Sequence, residues 1–202
     1  MTSITTGPGP AGTPSRVAAD GRWRTRDILV TAIIGVAFGV AFVALNAAWS
    51  ILAPASAAAP LAAFLIYGGW LMPAVLAPLI VRKPGAALYA ELVAAGVSSL
   101  LLSPWGPDVL LSGFVQGAAA ELVFAFTLYR VWSLPVLLVA SVASAVAAWF
   151  HDWVVWYPDF ALDVQIVRGI AMAISAVVIA GFGSIALVRS LRRTGVLEGF
   201  PD

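Results

Sequence analysis

The chain has 202 residues, of which 61% are hydrophobic and 10% are charged, with a formal net charge of +1. Its mean hydropathy is +0.98. A soluble domain carries about 25% charged residues because its surface must face water, so the composition excludes a water-soluble globule. With no cysteine and one histidine, the chain has no disulfides or thiolate metal sites, and we expect no histidine-based metal site.

The apolar segments are long and continuous, which favours helices. In the bilayer core only helices and closed barrels satisfy the backbone hydrogen bonds, and barrel strands alternate apolar and polar residues, a pattern absent here. We therefore predict an all-α membrane protein with six transmembrane helices embedded in the lipid bilayer. The predicted spans are 28–49, 61–81, 86–102, 109–131, 134–149 and 166–188. The third and fifth are short for a crossing that takes about 20 residues.

The first 22 residues are rich in Gly, Pro, Ser and Thr. This composition is typical of a disordered segment, and we interpret 1–22 as a cytoplasmic arm and 23–198 as the membrane domain. The first apolar segment is too long for a signal-peptide core, and no small-residue cleavage site follows it.

The basic residues predict the orientation. In a six-span chain, one side receives Arg16, Arg22, Arg24, Arg26, Arg82, Lys83, Arg130, Arg189, Arg192 and Arg193. The other side has Arg168, with Asp108, Asp152, Asp159 and Asp163. The positive-inside rule then places both termini in the cytoplasm of a multi-pass plasma-membrane protein.

Polar side chains within the predicted spans are expensive and are functional candidates, and three of them are singled out. Glu91 lies early in the third span, Gln116 in the outer part of the fourth, and Glu121 near the middle of the fourth. Each is either a tie between helices or a contact for a solute. Gly113 and Gly117 lie on or near the face of Glu121, so we expect this face to look into the bundle.

Aromatic residues crowd the outer ends of the spans, as in ordinary interfacial belts. Trp149, Trp153 and Trp156 are spaced to share one helical face, with Asp152 among them. An aromatic face next to a carboxylate suits a flat cationic heterocycle. Tyr67 and Trp70, one turn apart, are candidates for a second wall.

The first span has two pairs of small residues at a spacing of four, Gly35 with Gly39 and Ala37 with Ala41. Such pairs let another backbone approach closely. The stripe is either packing within the bundle or a docking surface for another membrane subunit.

No catalytic constellation is present: the sequence has no HExxH motif and no P-loop glycine pattern. We therefore predict that the protein is not an enzyme, has no cofactor, metal or nucleic-acid partner, and does not itself hydrolyse ATP.

Several motifs resemble the YkoE family of substrate-binding S components of energy-coupling factor (ECF) transporters. The similar segments over residues 23 to 198 include RKPGAAL at 82–88 followed by Glu91, GFVQG at 113–117, AELVF at 120–124 and SLPVL at 133–137. The resemblance implies a six-helix protein that captures thiamin or its hydroxymethylpyrimidine precursor. It also implies a transmembrane T subunit and two ATP-hydrolysing ABC subunits as partners.

Under this interpretation Glu121 and Gln116 would read the edge of an aminopyrimidine by hydrogen bonds, with Glu91 as a further polar position and aromatic rings around the ligand. The segment 50–60 is a candidate outer lid. Two other classes remain open: a self-sufficient carrier with Glu91 and Glu121 as a proton relay, and a membrane enzyme or assembly factor.

Overall fold

A computed structural model describes residues 21–55, 63–101 and 103–201. Most of the predicted arm, with Arg16, and part of the predicted lid lie outside these residues. The described residues form helices and no strand, which confirms the prediction of an all-helical protein.

Within the described residues, six helical segments follow one another. They are α1 (Thr25–Ala55), α2 (Met72–Val81), α3 (Ala86–Leu100), α4 (Asp108–Phe126), α5 (Leu134–Val155) and α6 (Leu162–Arg193). A 3₁₀ segment, Phe64–Gly69, leads into α2, and the middle of α6 widens into π-helical turns over Ala176–Gly183.

Five stretches of the described chain are long and apolar enough to cross a membrane, and α3, with 15 residues, is shorter. The expectation of a short third span therefore agrees with the structure. The expectation of a short fifth span is wrong, because α5 has 22 residues and continues past Trp149 to Val155. Large apolar side chains such as Ile33, Phe126 and Ile170 are exposed on the outside of the bundle, where lipid replaces water as their solvent.

Helices α1 and α3 pack closely because α1 presents glycines to α3. A Cβ at Gly35 would lie 2.6 Å from the Val93 Cβ, and one at Gly39 would lie 2.5 Å from the Val97 Cβ. These distances are too short for any side chain, so both glycines serve packing inside the bundle.

Glu121 ties α4 to the start of α3. Its carboxylate oxygens accept hydrogen bonds from the backbone N–H of Gly85 at 2.5 Å and of Ala87 at 2.9 Å. These N–H groups lie at the helix N-terminus, where no intrahelical acceptor exists. Burial and the neighbouring Glu121 carboxylate also raise the pKa of Tyr129 to about 12, so this phenol stays neutral.

The same end of the bundle gathers the basic residues. The Trp23 indole donates to the carbonyl of Pro84 at 2.9 Å, and Arg26 donates to the carbonyl of Gly199 at 2.7 Å. Arg26 also lies 4.1 Å from the ring centre of Phe200. The residues after α6 therefore fold back onto the start of α1.

Candidate ligand-binding site

A pocket opens at the end of the bundle opposite the basic residues. It lies between the C-terminal part of α1, the segment before α2, the middle of α3, the N-terminal half of α4 and the end of α5. The empty space between its walls is about 600 Å³, including the opening to the exterior.

The 3₁₀ segment reaches the pocket because it presses against α6 through a glycine. A Cβ on Gly68 would lie 2.3 Å from the carbonyl oxygen of Ser175. The Gly68 N–H donates to the Ser175 hydroxyl at 2.8 Å, and this hydroxyl donates to the carbonyl of Leu65 at 2.7 Å. This contact fixes the neighbouring Tyr67, whose ring lines the pocket.

Aromatic rings form much of the pocket wall, with Trp49 at their centre. The Trp49 ring makes edge contacts with Tyr67, Trp70 and Trp105, with centroids 6.5, 5.8 and 5.7 Å apart. Trp105 in turn lies 5.2 Å from Trp156. Edge-to-face arrangements at these distances are favourable and hold the rings in place, so a flat ligand meets a preformed aromatic surface.

Two aspartates on the pocket wall are held by the aromatic side chains around them. The Tyr67 hydroxyl donates to Asp152 Oδ2 at 2.9 Å, and the Trp156 indole donates to Asp108 Oδ2 at 2.8 Å. His151 lies between the two carboxylates, with each ring nitrogen 3.2 Å from one of them.

The deeper part of the pocket holds Glu91 and Gln116. Glu91 is 2% exposed, and its Oε2 accepts a hydrogen bond from the backbone N–H of Ala74, in the first turn of α2, at 3.1 Å. The Gln116 amide donates to the Ser112 hydroxyl at 2.5 Å. An acceptor and an amide therefore lie together in a largely apolar cavity.

Arg168 of α6 lies behind this wall and is 1% exposed. Its guanidinium lies 4.7 Å from the ring centre of Phe64 and 4.1 Å from that of Tyr157, and it donates to Gln165. Cation–π contacts of this kind stabilise a buried cation. Burial and the nearby Asp152 carboxylate raise the pKa of Tyr157, with Arg168 opposing.

Six of the eight side chains predicted to bind the ligand line this pocket. They are Tyr67, Trp70, Glu91, Gln116, Asp152 and Trp156. Glu121 lies at the other end of α4, against the start of α3, and Trp153 contacts Trp149 in a tilted arrangement with ring centroids 5.1 Å apart. Neither is part of the pocket lining.

The two pairs of small residues predicted as a docking stripe on α1 lie in different surroundings. Gly35 and Gly39 are buried against α3, whereas Ala37 and Ala41 are exposed. The two pairs therefore face different surroundings, and only the alanine pair is accessible from outside the bundle.

Sequence reasoning did not select several lining residues: Phe42, Trp49, Trp105, Asp108, Ser112 and Tyr157. Trp49, Trp105 and Tyr157 look like members of an interfacial belt in the sequence. Asp108 follows Pro107 as the first residue of α4, and a carboxylate there also fits ordinary stabilisation of a helix N-terminus. Contacts between helices are needed to identify them as pocket residues.

Together, the apolar all-helical fold and the aromatic pocket between its helices define a membrane protein with a pocket suited to a small molecule. Residues 26–147 match a protein family described as the ABC-type cobalt transport system, permease component. The chain is 36% identical over 182 residues to YkoE of Bacillus subtilis (strain 168), which carries the name HMP/thiamine permease protein; the match covers 88% of each chain. HMP denotes hydroxymethylpyrimidine.

A solved crystal structure of an S component of an ECF transporter has the same fold. The TM-score is 0.84 at 36% identity, and the match covers 88% of this chain and 90% of the solved one. The chain therefore belongs to the S components of ECF transporters and is a multi-pass transport protein of the plasma membrane, which confirms the resemblance found in the sequence.

Proposed function

We propose that this S component captures hydroxymethylpyrimidine or thiamin. The observation that carries the proposal is the pocket itself, in which aromatic rings surround the carboxylates of Glu91, Asp108 and Asp152 and the amide of Gln116. The name of the Bacillus subtilis relative supports the same ligands.

The chemistry of the pocket suits an aminopyrimidine. The ring offers nitrogen acceptors and an amino donor, which an amide and a carboxylate recognise by hydrogen bonds. Gln116 and Glu91 supply these groups in the deeper part of the pocket, and Trp49 and Trp70 supply flat surfaces beside them. The cationic thiazolium of thiamin would lie next to rings and carboxylates that favour a positive charge.

We further propose that the chain works with a transmembrane T subunit and two ABC ATPase subunits, as the sequence resemblance implies. The exposed alanines of α1, Ala37 and Ala41, are the candidate contact with the T subunit. Small side chains allow a partner helix to approach closely, and both lie on the outer surface of the bundle.

The proposed orientation places the pocket outside the cell and both termini in the cytoplasm. Arg130 follows the end of α4, while the pocket residues Asp108, Ser112 and Gln116 lie in its first half. The basic end then faces the cytoplasm, and the pocket receives its ligand from the exterior.

A binding titration tests the ligand assignment. The purified protein in detergent is titrated by calorimetry with thiamin, with hydroxymethylpyrimidine and, as a control, with biotin, which lacks a pyrimidine. We expect saturable binding of at least one of the first two and none of biotin. Binding of biotin alone, or of none of the three, would contradict the proposal.

A further inference from the structure

A continuous chain of hydrogen-bonding groups crosses the pocket wall from α4 to the segment before α2. It runs from the Trp156 indole to Asp108, from Asp108 to His151, from His151 to Asp152, and from Asp152 to the Tyr67 hydroxyl. His151 is its central member, is 7% exposed, and is not part of the pocket lining. Any effect it has on a ligand therefore passes through the two aspartates.

The geometry requires a particular number of protons. An ionised carboxylate only accepts hydrogen bonds, and a neutral imidazole has one donor and one acceptor nitrogen. Both ring nitrogens of His151 lie 3.2 Å from carboxylate oxygens. Two hydrogen bonds between the ring and the carboxylates therefore need two protons shared among Asp108, His151 and Asp152. A neutral ring between two ionised carboxylates supplies only one.

The second oxygen of each aspartate indicates where these protons reside. Asp108 Oδ2 accepts from the Trp156 indole, and Asp152 Oδ2 accepts from the Tyr67 hydroxyl. Hydrogen bonds donated to a carboxylate favour its ionised form. Asp108 also begins α4, where the helix dipole favours a negative charge. Both protons are thus best placed on the ring, which becomes an imidazolium.

We propose that His151 is a positioning residue that, as an imidazolium, holds the pocket carboxylates of Asp108 and Asp152 in the orientation that receives the ligand. The proposal rests on the proposed function for its ligand, but the state of the ring is a property of the protein without ligand. The ionisable groups facing the three residues are Tyr67 before α2, Tyr157 after α5, Arg168 on α6 and Glu91 on α3 across the pocket.

The loss of this proton would disrupt the wall. With a neutral ring, one of the two contacts places a nitrogen lone pair against a carboxylate oxygen, and that contact separates. Asp108 and Asp152 would then repel each other without a cation between them. Ligand affinity should therefore be retained while the ring is protonated and fall as the pH rises through its deprotonation.

The first experiment uses the fact that the chain has one histidine. Protein carrying ¹⁵N,¹³C-labelled histidine and purified without a histidine tag gives one ring signal by NMR. In the absence of ligand we expect both ring nitrogens to carry hydrogen at neutral pH, and Asp108→Asn and Asp152→Asn each to move the ring towards its neutral form. A neutral ring at pH 7 in the wild-type protein would overturn the proposal.

The second experiment measures affinity for hydroxymethylpyrimidine, which has no permanent charge, and for thiamin from neutral pH upward. His151→Asn retains a donor near the Nδ1 position, towards Asp152, and His151→Gln retains one near Nε2, towards Asp108. We expect each variant to bind about tenfold more weakly and to lose the pH dependence of the wild-type affinity. Trp153→Phe, two residues further along α5 and outside the pocket, is the control and should retain both.

The outcomes separate the two proposals. Unchanged affinity and an unchanged pH profile in both His151 variants would show that the residue does not position the carboxylates. If a His151 variant binds more weakly by the same factor at every pH, and so keeps the wild-type pH profile, the residue has a structural role only. This result would also overturn the proposal. If the wild-type protein binds neither probe, the proposed function fails, and the NMR signal still decides the protonation of the network.

Discussion

Replacing Glu121 by glutamine distinguishes a structural tie from a ligand contact. The two carboxylate oxygens accept hydrogen bonds from Gly85 and Ala87 at the start of α3. The helix has no other side-chain cap there, because its N-cap residue is Gly85. Glutamine keeps one acceptor oxygen and places an NH₂ group where the second oxygen stood, so one backbone N–H would face another donor.

The expected effect is a loss of stability without a loss of affinity. A hydrogen bond to a charged group contributes about 1.5–3 kcal/mol, and for a chain of this size 1 kcal/mol corresponds to about 2–4 °C in Tm. Glu121→Gln should therefore lower the Tm of the ligand-free protein by about 3–12 °C. The pocket lies in the other half of α4, so the Kd for thiamin or hydroxymethylpyrimidine should not change.

The assay measures Tm in detergent beside the Kd by calorimetry for the same protein samples. Glu121→Asp is a second variant that keeps the charge but shortens the reach to Gly85 and Ala87. Its Tm should also fall below that of the wild type. A weaker Kd with an unchanged Tm in Glu121→Gln would refute the structural role and return Glu121 to the binding site.

Three further predictions concern the pocket, the docking face and the orientation. Gln116→Ala should weaken ligand binding about tenfold or more with little change in Tm; unchanged Kd would remove Gln116 from the site. Ala37→Leu should reduce uptake by the assembled transporter and leave the Kd unchanged. Gly39→Leu, at a position that faces α3, should instead lower the Tm. Equal uptake by Ala37→Leu and the wild type would reject the docking face. In this cysteine-free chain, Asp159→Cys should react with an impermeant maleimide in intact cells and Val196→Cys should not; the reverse pattern would invert the proposed orientation.

The presence of the helices was predictable from the sequence, because the length of an apolar segment is the dominant constraint in lipid. The residues at which the helices end were not predictable. The fourth span was predicted to reach Val131, whereas α4 ends at Phe126, and Leu128 and Tyr129 adopt positive φ angles of 52° and 55°. This shorter helix explains the position of Glu121. It lies five residues from the end of α4 rather than at mid-span, within reach of α3's first turn.

The fifth helix extends further than predicted because its polar residues are satisfied within the bundle. His151 and Asp152 look like the end of a span in the sequence, yet they are buried in α5 and bonded to each other and to Asp108 and Tyr67. Trp156 follows the last residue of α5, so the helical spacing that groups it with Trp149 and Trp153 does not describe its direction.

The sequence signal differs between the polar and the aromatic residues of the pocket. A carboxylate or amide within an apolar span is costly in lipid, which singles out Glu91, Gln116 and Glu121 from the sequence, and only the first two line the pocket. A tryptophan at a helix end carries no such signal, because it is equally favourable at the membrane interface. Trp49 and Trp105 are distinguished by ring contacts with residues distant in the chain, and no sequence pattern reports these contacts.

The most direct test of the account is transport in reconstituted vesicles. Vesicles containing this chain with the T subunit and both ATPase subunits are loaded with ATP and supplied with labelled thiamin or hydroxymethylpyrimidine. The account predicts accumulation that requires ATP and all the subunits, while this chain alone binds ligand and does not transport it. Accumulation by this chain alone, driven by a proton gradient without ATP, would contradict the assignment and indicate a self-sufficient carrier.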